Sequence, residues 1–428
     1  MRALFHTLGC KVNQYETQAM RQYMEAASFE TGELQDGTIP DIIVINSCTV
    51  TGESDRKLRQ LLHRCKREHP DAVLVLTGCM PQAFPEEAAG FSEVDVVLGN
   101  AARRRLPEYI ARFFAVHQRI VDIPPHDKAF EKLELADYEG RTRAFLKIED
   151  GCNRFCSYCI IPYARGRVRS KALADLKSEA QALAERGFRE IVLVGINLTA
   201  FGQDTGLCIA DAVEAVCAVD GIARVRLGSI EPDHLTPAIL ARLAAQRKLC
   251  PQFHLALQSG CDATLKRMNR HYTTAEYAAL CDDLRAAFPQ CAVTTDFMVG
   301  FPGETDEEFA ASLAFVEKIG FSRVHIFAYS RRAGTPAAKA PAQVTNKVKA
   351  ARSRQAAQVC RVLQERCAAA LIGQEVEVLL ETKAENGLVF GYTPQYVGVH
   401  VRTDRPAGTL LTVRITGEEN GVCTAEEI

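Results

Sequence analysis

The chain has no tryptophan, no long apolar run, no internal repeat and no low-complexity tract. Its longest apolar stretches, such as Ile191–Ile196, fall far short of the roughly 20 residues that span a bilayer, so a membrane helix is excluded at the outset. An excess of charge is lacking too: 51 Lys and Arg stand against 53 Asp and Glu, a balance that by itself points to no partner. Met1–Cys10 carries one positive charge and a short apolar stretch alternating with polar residues, the pattern of a strand rather than of a secretory leader. The remaining composition is ordinary. With 47% apolar and 24% charged residues, disordered and collagen-like chains are excluded, and 428 residues suit two or three domains with full hydrophobic cores.

Cysteine is what the chain has in abundance, with 16 in all. Disulfide frameworks belong to oxidising compartments and to small domains that need staples. A chain of this length needs none, so a cytoplasmic, reduced protein is expected, and there clustered cysteines favour a metal or catalysis.

The expected fold class is α/β. In residues 1–113 strand-like runs (Ala3–Leu8, Asp41–Ile45, Ala72–Leu76, Val94–Leu98) alternate with helical ones around 14–27 and 54–67, which implies parallel βαβ units. A polar connector spans roughly 117–140. Within 138–367 six further strands are expected: Ala144–Ile148, Glu190–Val194, Ala223–Ser229, Gln252–Leu257, Ala292–Phe297 and Arg323–Tyr329. Such repeats suggest a partial (βα)6 barrel with its chemistry at the carboxyl ends of the strands. Residues 370–428 turn β-rich, with short runs at Val376–Leu380, Val389–Tyr392, Val397–Arg402 and Thr409–Thr416, as in a small Greek-key barrel.

Two cysteine constellations stand out. The first is Gly151-Cys152-Asn153-Arg154-Phe155-Cys156-Ser157-Tyr158-Cys159, directly after the first barrel strand. Four-iron clusters want four ligands, usually thiolates, and three leave one iron open to chelate a substrate or cofactor. Structural zinc is the competing metal, but it needs a closed set of four, and the nearest further donors in sequence are His126 and Cys208. The second constellation is Cys10, Cys48 and Cys79, each just past an apolar strand. Parallel strands would bring all three to one sheet edge, where open α/β sheets bind ligands. The other ten cysteines read as packing residues.

The C-x3-C-x2-C loop on a βα barrel, with Tyr158 before its last cysteine, resembles the radical S-adenosylmethionine superfamily. Taken with Leu8-Gly9-Cys10-Lys11-Val12-Asn13, Asn46-Ser47-Cys48, Thr77-Gly78-Cys79, Cys159-Ile160-Ile161-Pro162-Tyr163-Ala164-Arg165-Gly166, Leu257-Gln258-Ser259-Gly260 and Gly300-Phe301-Pro302-Gly303, the chain resembles the methylthiotransferases from end to end. Its opening motif is most similar to the branch acting on N6-threonylcarbamoyladenosine in tRNA. Ala256 departs from the proline that relatives often carry there. The resemblance implies two 4Fe–4S clusters, one on Cys152, Cys156 and Cys159 and one on Cys10, Cys48 and Cys79. It also implies S-adenosylmethionine as cofactor, a C-terminal TRAM domain and a tRNA partner. An external donor of the flavodoxin or ferredoxin type, a monomeric state and no membrane attachment complete the expectation. The implied product is 2-methylthio-N6-threonylcarbamoyladenosine, made by radical chemistry at C2 of the base.

Cofactor neighbours are expected at strand ends: Tyr158 on the loop, then Gly195, Asn197, Ser229, Glu231, Gln258 and Ser259. Basic runs at 56–67, 141–171 and 347–366 suggest a phosphate-tracking surface, including Arg165, Arg167 and Arg169. Residues 374–428, with four basic and nine acidic residues, would meet RNA through stacking by Tyr392 or Tyr396. The rival readings are the same chemistry on isopentenyladenosine in tRNA or on a ribosomal-protein aspartate, and a non-catalytic iron–sulfur protein that binds RNA.

Overall fold

A computed structural model describes residues 1–133, 142–383 and 387–428. The chain divides into two compact units. One is Met1–Tyr138 with Glu149–Lys171 and Ser330–Ala338; the other is Glu139–Ile148 with Ala172–Tyr329 and Lys339–Ile428. Among the described residues no helix is long and apolar enough to cross a membrane.

The first unit is built on a six-stranded parallel sheet: β1 (Arg2–Thr7), β2 (Glu30–Glu33), β3 (Ile42–Ser47), β4 (Val73–Gly78), β5 (Val96–Leu98) and β6 (Ile120–Asp122), in the order β2-β1-β3-β4-β5-β6. The central strands are continuous apolar runs because both faces are covered. Phe5, Val44, Val75 and Val96 pack with Met20 and Met24 of α1 (Lys11–Ala26). On the other face Ile43, Ile45, Leu74 and Leu76 pack with Leu58, Leu61 and Leu62 of α2 (Gly52–Glu68). Four strands were expected here, and β2 and β6 are additional. Both are short edge strands, and such strands carry little apolar periodicity. β6 falls within the stretch expected as a connector, of which residues 134–140 lie outside the described residues.

The strand order reverses between β1 and β3. From β1 the chain steps outward to β2, and then returns to the other side at β3. That reversal opens a crevice at the carboxyl edge, where doubly wound sheets bind ligands. Further along the chain, β7 (Arg143–Lys147) belongs to the second unit, while β8 (Glu149–Asp150) and β9 (Arg169–Ser170) pair antiparallel in the first.

In the second unit β7 joins β10 (Glu190–Val194) and β11 (Arg224–Leu227) in one parallel sheet. A second parallel sheet holds β12 (Ser229–Ile230), β13 (Gln252–Leu255), β14 (Ala292–Val299) and β15 (Arg323–Ala328). The single strand expected at Ala223–Ser229 is therefore two, broken at Gly228, whose amide donates to Leu193 O at 2.9 Å. The six expected repeats are present as an open, two-part arrangement.

The C-terminal strands β16 (Glu375–Lys383), β17 (Leu388–Tyr392), β18 (Gly398–Arg402), β19 (Leu410–Glu419) and β20 (Val422–Glu427) close into a barrel, in the order β16-β17-β18-β20-β19. β20 is the strand not expected from the sequence, and the barrel cannot close without it. Val378, Val399, Val401, Val413 and Cys423 fill the interior. This barrel docks on the amino ends of β7, β10 and β11. There Glu190 is buried among Arg143, Arg224 and Arg226, and Arg224 reaches Glu377 while Arg226 reaches Pro394 O and Thr393 O. Tyr392 and Tyr396 are stacked on each other with centroids 4.3 Å apart, under Arg143 and Arg226. The two rings expected to stack on RNA are thus committed to this internal contact.

Candidate functional site

β1, β3 and β4 are adjacent and in register, with Thr7 opposite Asn46 and Ser47 opposite Gly78. Their carboxyl ends deliver Cys10 as the residue that precedes α1, Cys48 just past β3, and Cys79 as the first residue of the short helix α3 (Cys79–Ala83). The three thiols are near enough to act on one another electrostatically. Burial pushes the Cys48 thiol above its ordinary value, against a hydrogen bond from the Val50 backbone, and the neighbouring Cys10 adds to the rise. Cys79 is pushed up to about 12 by burial, with Arg165 opposing and Cys48, Cys10 and Glu16 adding.

Asn13 organises this edge. Its Nδ2 donates to Leu8 O at 2.9 Å and to Ser47 O at 3.0 Å, tying the first two cysteine loops together. Its Oδ1 lies 3.9 Å from the Sγ of both Cys10 and Cys79, so those sulfurs are at most twice that distance apart. Asn46 Nδ2 donates to Asn13 O, and the Ser47 hydroxyl to Thr77 O. Gly9 has φ +124°, and a Cβ there would stand 2.9 Å from both Asn13 Nδ2 and Cys48 Cβ. Only glycine allows so close an approach.

The second triad follows β7 in the chain and lies in the first unit. Gly151 has φ +90°, and a Cβ on it would stand 2.0 Å from Arg167 O, so the loop starts flat against the segment that returns as β9. Cys152 N donates to Gly166 O at 3.0 Å and Cys159 N to Cys156 O at 2.9 Å. Cys156 is buried, while Cys152, Tyr158 and Cys159 are half-buried. The helix Ile161–Arg165 packs on α3 and is held by Asn100 Nδ2, which donates to Ala164 O at 2.8 Å. His126, distant in sequence, is folded against Gly166. Burial and then Arg169 hold its imidazole below the ordinary value, and its buried Nε2 meets no hydrogen-bond partner among the described residues.

Among the described residues no three His, Cys, Asp or Glu side chains are gathered closely enough to hold a single metal ion. Each triad offers three sulfur donors from three separate backbone positions. That donor set fits a four-iron cluster with one open iron better than the closed site of structural zinc.

In the second unit Gly195 and Asn197 follow β10, Ser229 opens β12, Glu231 lies just beyond it and Gln258 beyond β13. Gly195, Asn197, Glu231 and Gln258 stand just past the carboxyl ends of parallel strands, and Ser229 just past that of β11. Ser229 is exposed and Asn197 is buried, its Oδ1 accepting from the Thr199 hydroxyl. Glu231 is paired with Arg270. Gln258 takes φ +64° and has a buried Oε1 without a hydrogen-bond partner among the described residues. Ser259 is fully buried, with its hydroxyl 3.0 Å from that of Ser312 in the helix Asp306–Ile319.

The radical S-adenosylmethionine superfamily model matches residues 146–316, and the model of the uncharacterised protein family UPF0004 matches residues 2–99. The threonylcarbamoyladenosine tRNA methylthiotransferase MtaB of Bacillus subtilis is 38% identical over 421 residues, covering 96% of this chain and 93% of the relative. The chain belongs to the radical S-adenosylmethionine methylthiotransferases. MtaB of Thermotoga maritima is 37% identical, covering 99% and 96%. A tRNA-2-methylthio-N(6)-dimethylallyladenosine synthase of Cereibacter sphaeroides is 35% identical, covering 100% and 99%. Among solved structures, the radical S-adenosylmethionine methyltransferase TsrM of Kitasatospora setae aligns with a TM-score of 0.59 at 15% identity, over 79% of this chain and 77% of that one, a likeness of fold. Membership of this family brings S-adenosylmethionine and 4Fe–4S chemistry with it.

In this methylthiotransferase the two cysteine triads rest on side chains that the sequence patterns do not single out. Asn13 and Asn46 appear in the motifs without a role, although a polar side chain inside an apolar βα junction is a signal in itself. Arg165 and Arg169 stand in the run expected to face RNA, yet both are buried, as are Lys147 and Lys171. In that run Arg167 is exposed and Arg141 lies outside the described residues. In 347–366, Lys349 and Arg352 are likewise buried, on Tyr329 O and Glu304. The run at 56–67 is mostly exposed, with Arg56, Lys57, Arg59, Arg64 and Arg67 each beside a glutamate.

Proposed function

We propose that this chain methylthiolates C2 of N6-threonylcarbamoyladenosine beside the tRNA anticodon, giving 2-methylthio-N6-threonylcarbamoyladenosine. The observation that carries the reading is the assembly of Cys10, Cys48 and Cys79 at one sheet edge, together with the separate Cys152, Cys156 and Cys159 loop. A C2 hydrogen is beyond any side-chain acid or base, and the clusters with S-adenosylmethionine supply the radical and the sulfur when bound.

The chain's own residues divide the work. Cys152, Cys156 and Cys159 hold the radical centre, with Tyr158 beside it. Cys10, Cys48 and Cys79 hold the auxiliary centre, and Asn13 fixes the spacing of their loops. Gly195, Asn197, Ser229 and Gln258 border the S-adenosylmethionine face, where the Gln258 Oε1 is ready to accept a hydrogen bond from the cofactor's amino groups. In this reading residues 1–113 carry the auxiliary centre, 138–367 the barrel and 370–428 an RNA-binding β unit of the TRAM kind. The protein works in the cytoplasm as a monomer, taking electrons from a flavodoxin- or ferredoxin-type donor.

The substrate assignment is supported by the names of relatives that are 38% and 37% identical and by the Lys11-Val12-Asn13 pattern. The test is a nucleoside digest of tRNA from a strain lacking this chain. Loss of the methylthio-threonylcarbamoyl nucleoside is expected; loss of the methylthio-isopentenyl nucleoside instead would overturn the substrate. Cys156→Ala should end all cleavage of S-adenosylmethionine, whereas Cys48→Ala should spare cleavage and end thiolation. A Cys48 variant that still thiolates tRNA refutes the division into two centres. A chain that forms no 5′-deoxyadenosine under anaerobic reduction would be a binding protein rather than an enzyme.

A further inference from the structure

Arg165 joins the segment of the radical loop to a thiol of the sheet edge by a hydrogen bond to sulfur. The helix Ile161–Arg165 begins just past Cys159 and ends on a guanidinium that is completely buried. Its Nε donates to the Cys79 Sγ at 3.2 Å. One terminal nitrogen donates to Asn13 Oδ1 at 2.5 Å and to Glu16 Oε2 at 2.9 Å, and the other pairs with Glu16 and lies 3.6 Å from Asp150. Glu16 is itself fully buried and shared with Arg103 at 2.6 Å. A buried ion array of this kind is costly to assemble, and an aliphatic residue would fill the space at lower cost.

We propose that Arg165 tunes the auxiliary centre: its N–H···S bond to Cys79 and its charge favour the electron-rich state of whatever cluster Cys79 ligates, and Glu16 holds Arg165 in place while tempering that charge. The inference rests on the ligand assignment made above. Hydrogen bonds to ligating sulfur and local net charge are the levers by which a protein sets the potential of an iron–sulfur centre. Arg165 supplies both from a single side chain. It acts through Cys79 and is a positioning residue.

The two residues of the pair make opposite predictions. Removing the cation should make the auxiliary centre harder to reduce, and removing the anion should make it easier. The test uses the full chain carrying Cys152→Ala, Cys156→Ala and Cys159→Ala, reconstituted with iron and sulfide without air and titrated with redox mediators under electron paramagnetic resonance. Arg165→Gln in that background should lower the midpoint by at least tenfold in the one-electron equilibrium, about 59 mV. Arg165→Lys should fall between that and the parent, and Glu16→Gln should shift the midpoint upward. A loss of structure alone gives no such opposition of sign.

Midpoints that stay put, or move the same way in Arg165→Gln and Glu16→Gln, overturn the inference. Should Arg165→Gln take up no iron, the Glu16→Gln chain decides: an upward shift upholds the role of the charge, and no shift refutes it. A parent background that takes up no four-iron centre overturns the ligand assignment and this inference with it. Iron uptake with unmoved midpoints overturns the inference alone.

Discussion

Asn13→Ala should loosen the cysteine-bearing edge before any metal is bound. In the folded chain Asn13 is fully buried, and its amide satisfies Leu8 O and Ser47 O while its oxygen receives Arg165. Alanine removes both donors and one acceptor, and no other polar side chain is bonded to those two carbonyls among the hydrogen bonds described. Leaving a buried polar group unpaired costs about 1–3 kcal/mol; Ser47 O is buried and Leu8 O partly so, and the two together amount to about 3 kcal/mol of local stability, before the stranded Arg165 is counted. Hydrogen exchange measured by mass spectrometry on iron-free protein reads this directly. Peptides covering 8–17 and 42–49 should lose roughly a hundredfold in protection, since each 1.4 kcal/mol is tenfold, while peptides in β16–β20 stay unchanged. Asn13→Asp keeps the shape and the acceptor for Arg165 but sets a second acceptor against the two carbonyls, so it should not rescue protection. Exchange equal to the parent in both peptides refutes the role given to Asn13. Because the measurement needs no cluster, its outcome is independent of which metal the cysteines hold.

Glu190→Gln tests the contact between the C-terminal barrel and the strand ends. Burial opposes ionisation of Glu190, but Arg226, Arg143 and Arg224 outweigh it and hold the carboxyl below its ordinary value. The stability it contributes is therefore fully present above the unfolded pKa of about 4.3 and is lost as pH falls through the lower folded value. The variant should be less stable by about 3 kcal/mol at pH 7, and the gap measured by urea unfolding should close toward pH 3; a constant gap refutes the electrostatic account. Gly151→Ala should lower the melting temperature of iron-free protein, through positive-φ strain of about 1–3 kcal/mol and the clash with Arg167 O. An unchanged melting temperature would show that the loop can move aside. Gln258→Leu removes a buried, unpaired oxygen and should leave stability unchanged or raised, while weakening S-adenosylmethionine binding about two- to tenfold by calorimetry, the worth of one hydrogen bond. Undiminished affinity removes Gln258 from the cofactor face.

How much could be read in advance depended on whether a signal was local. The grouping of Cys152, Cys156 and Cys159 was legible because they lie within eight residues of chain, and the central strands because Ile42–Ile45 and Val73–Leu76 are continuous apolar runs. Cys10, Cys48 and Cys79 were legible one step later, since parallel strands of a common sheet end at a common edge. The edge strands β2 and β6 and the closing strand β20 were not, because half-exposed short strands owe their existence to a neighbour rather than to their own pattern.

The sequence by itself determined the residue types, the local spacing of Cys152, Cys156 and Cys159, and the alternation that makes a parallel α/β chain. It could not determine which charges are solvated. Arg165, Arg167 and Arg169 are indistinguishable as letters, yet one carries an N–H···S bond in the interior, one is exposed and one is buried beside Asp150. Tyr392 and Tyr396 likewise looked like rings offered to RNA and instead stack under arginines at the barrel contact. Burial is a property of what the rest of the chain brings near. The free energy of a charge or a ring depends on that surrounding medium, and only the tertiary structure supplies it.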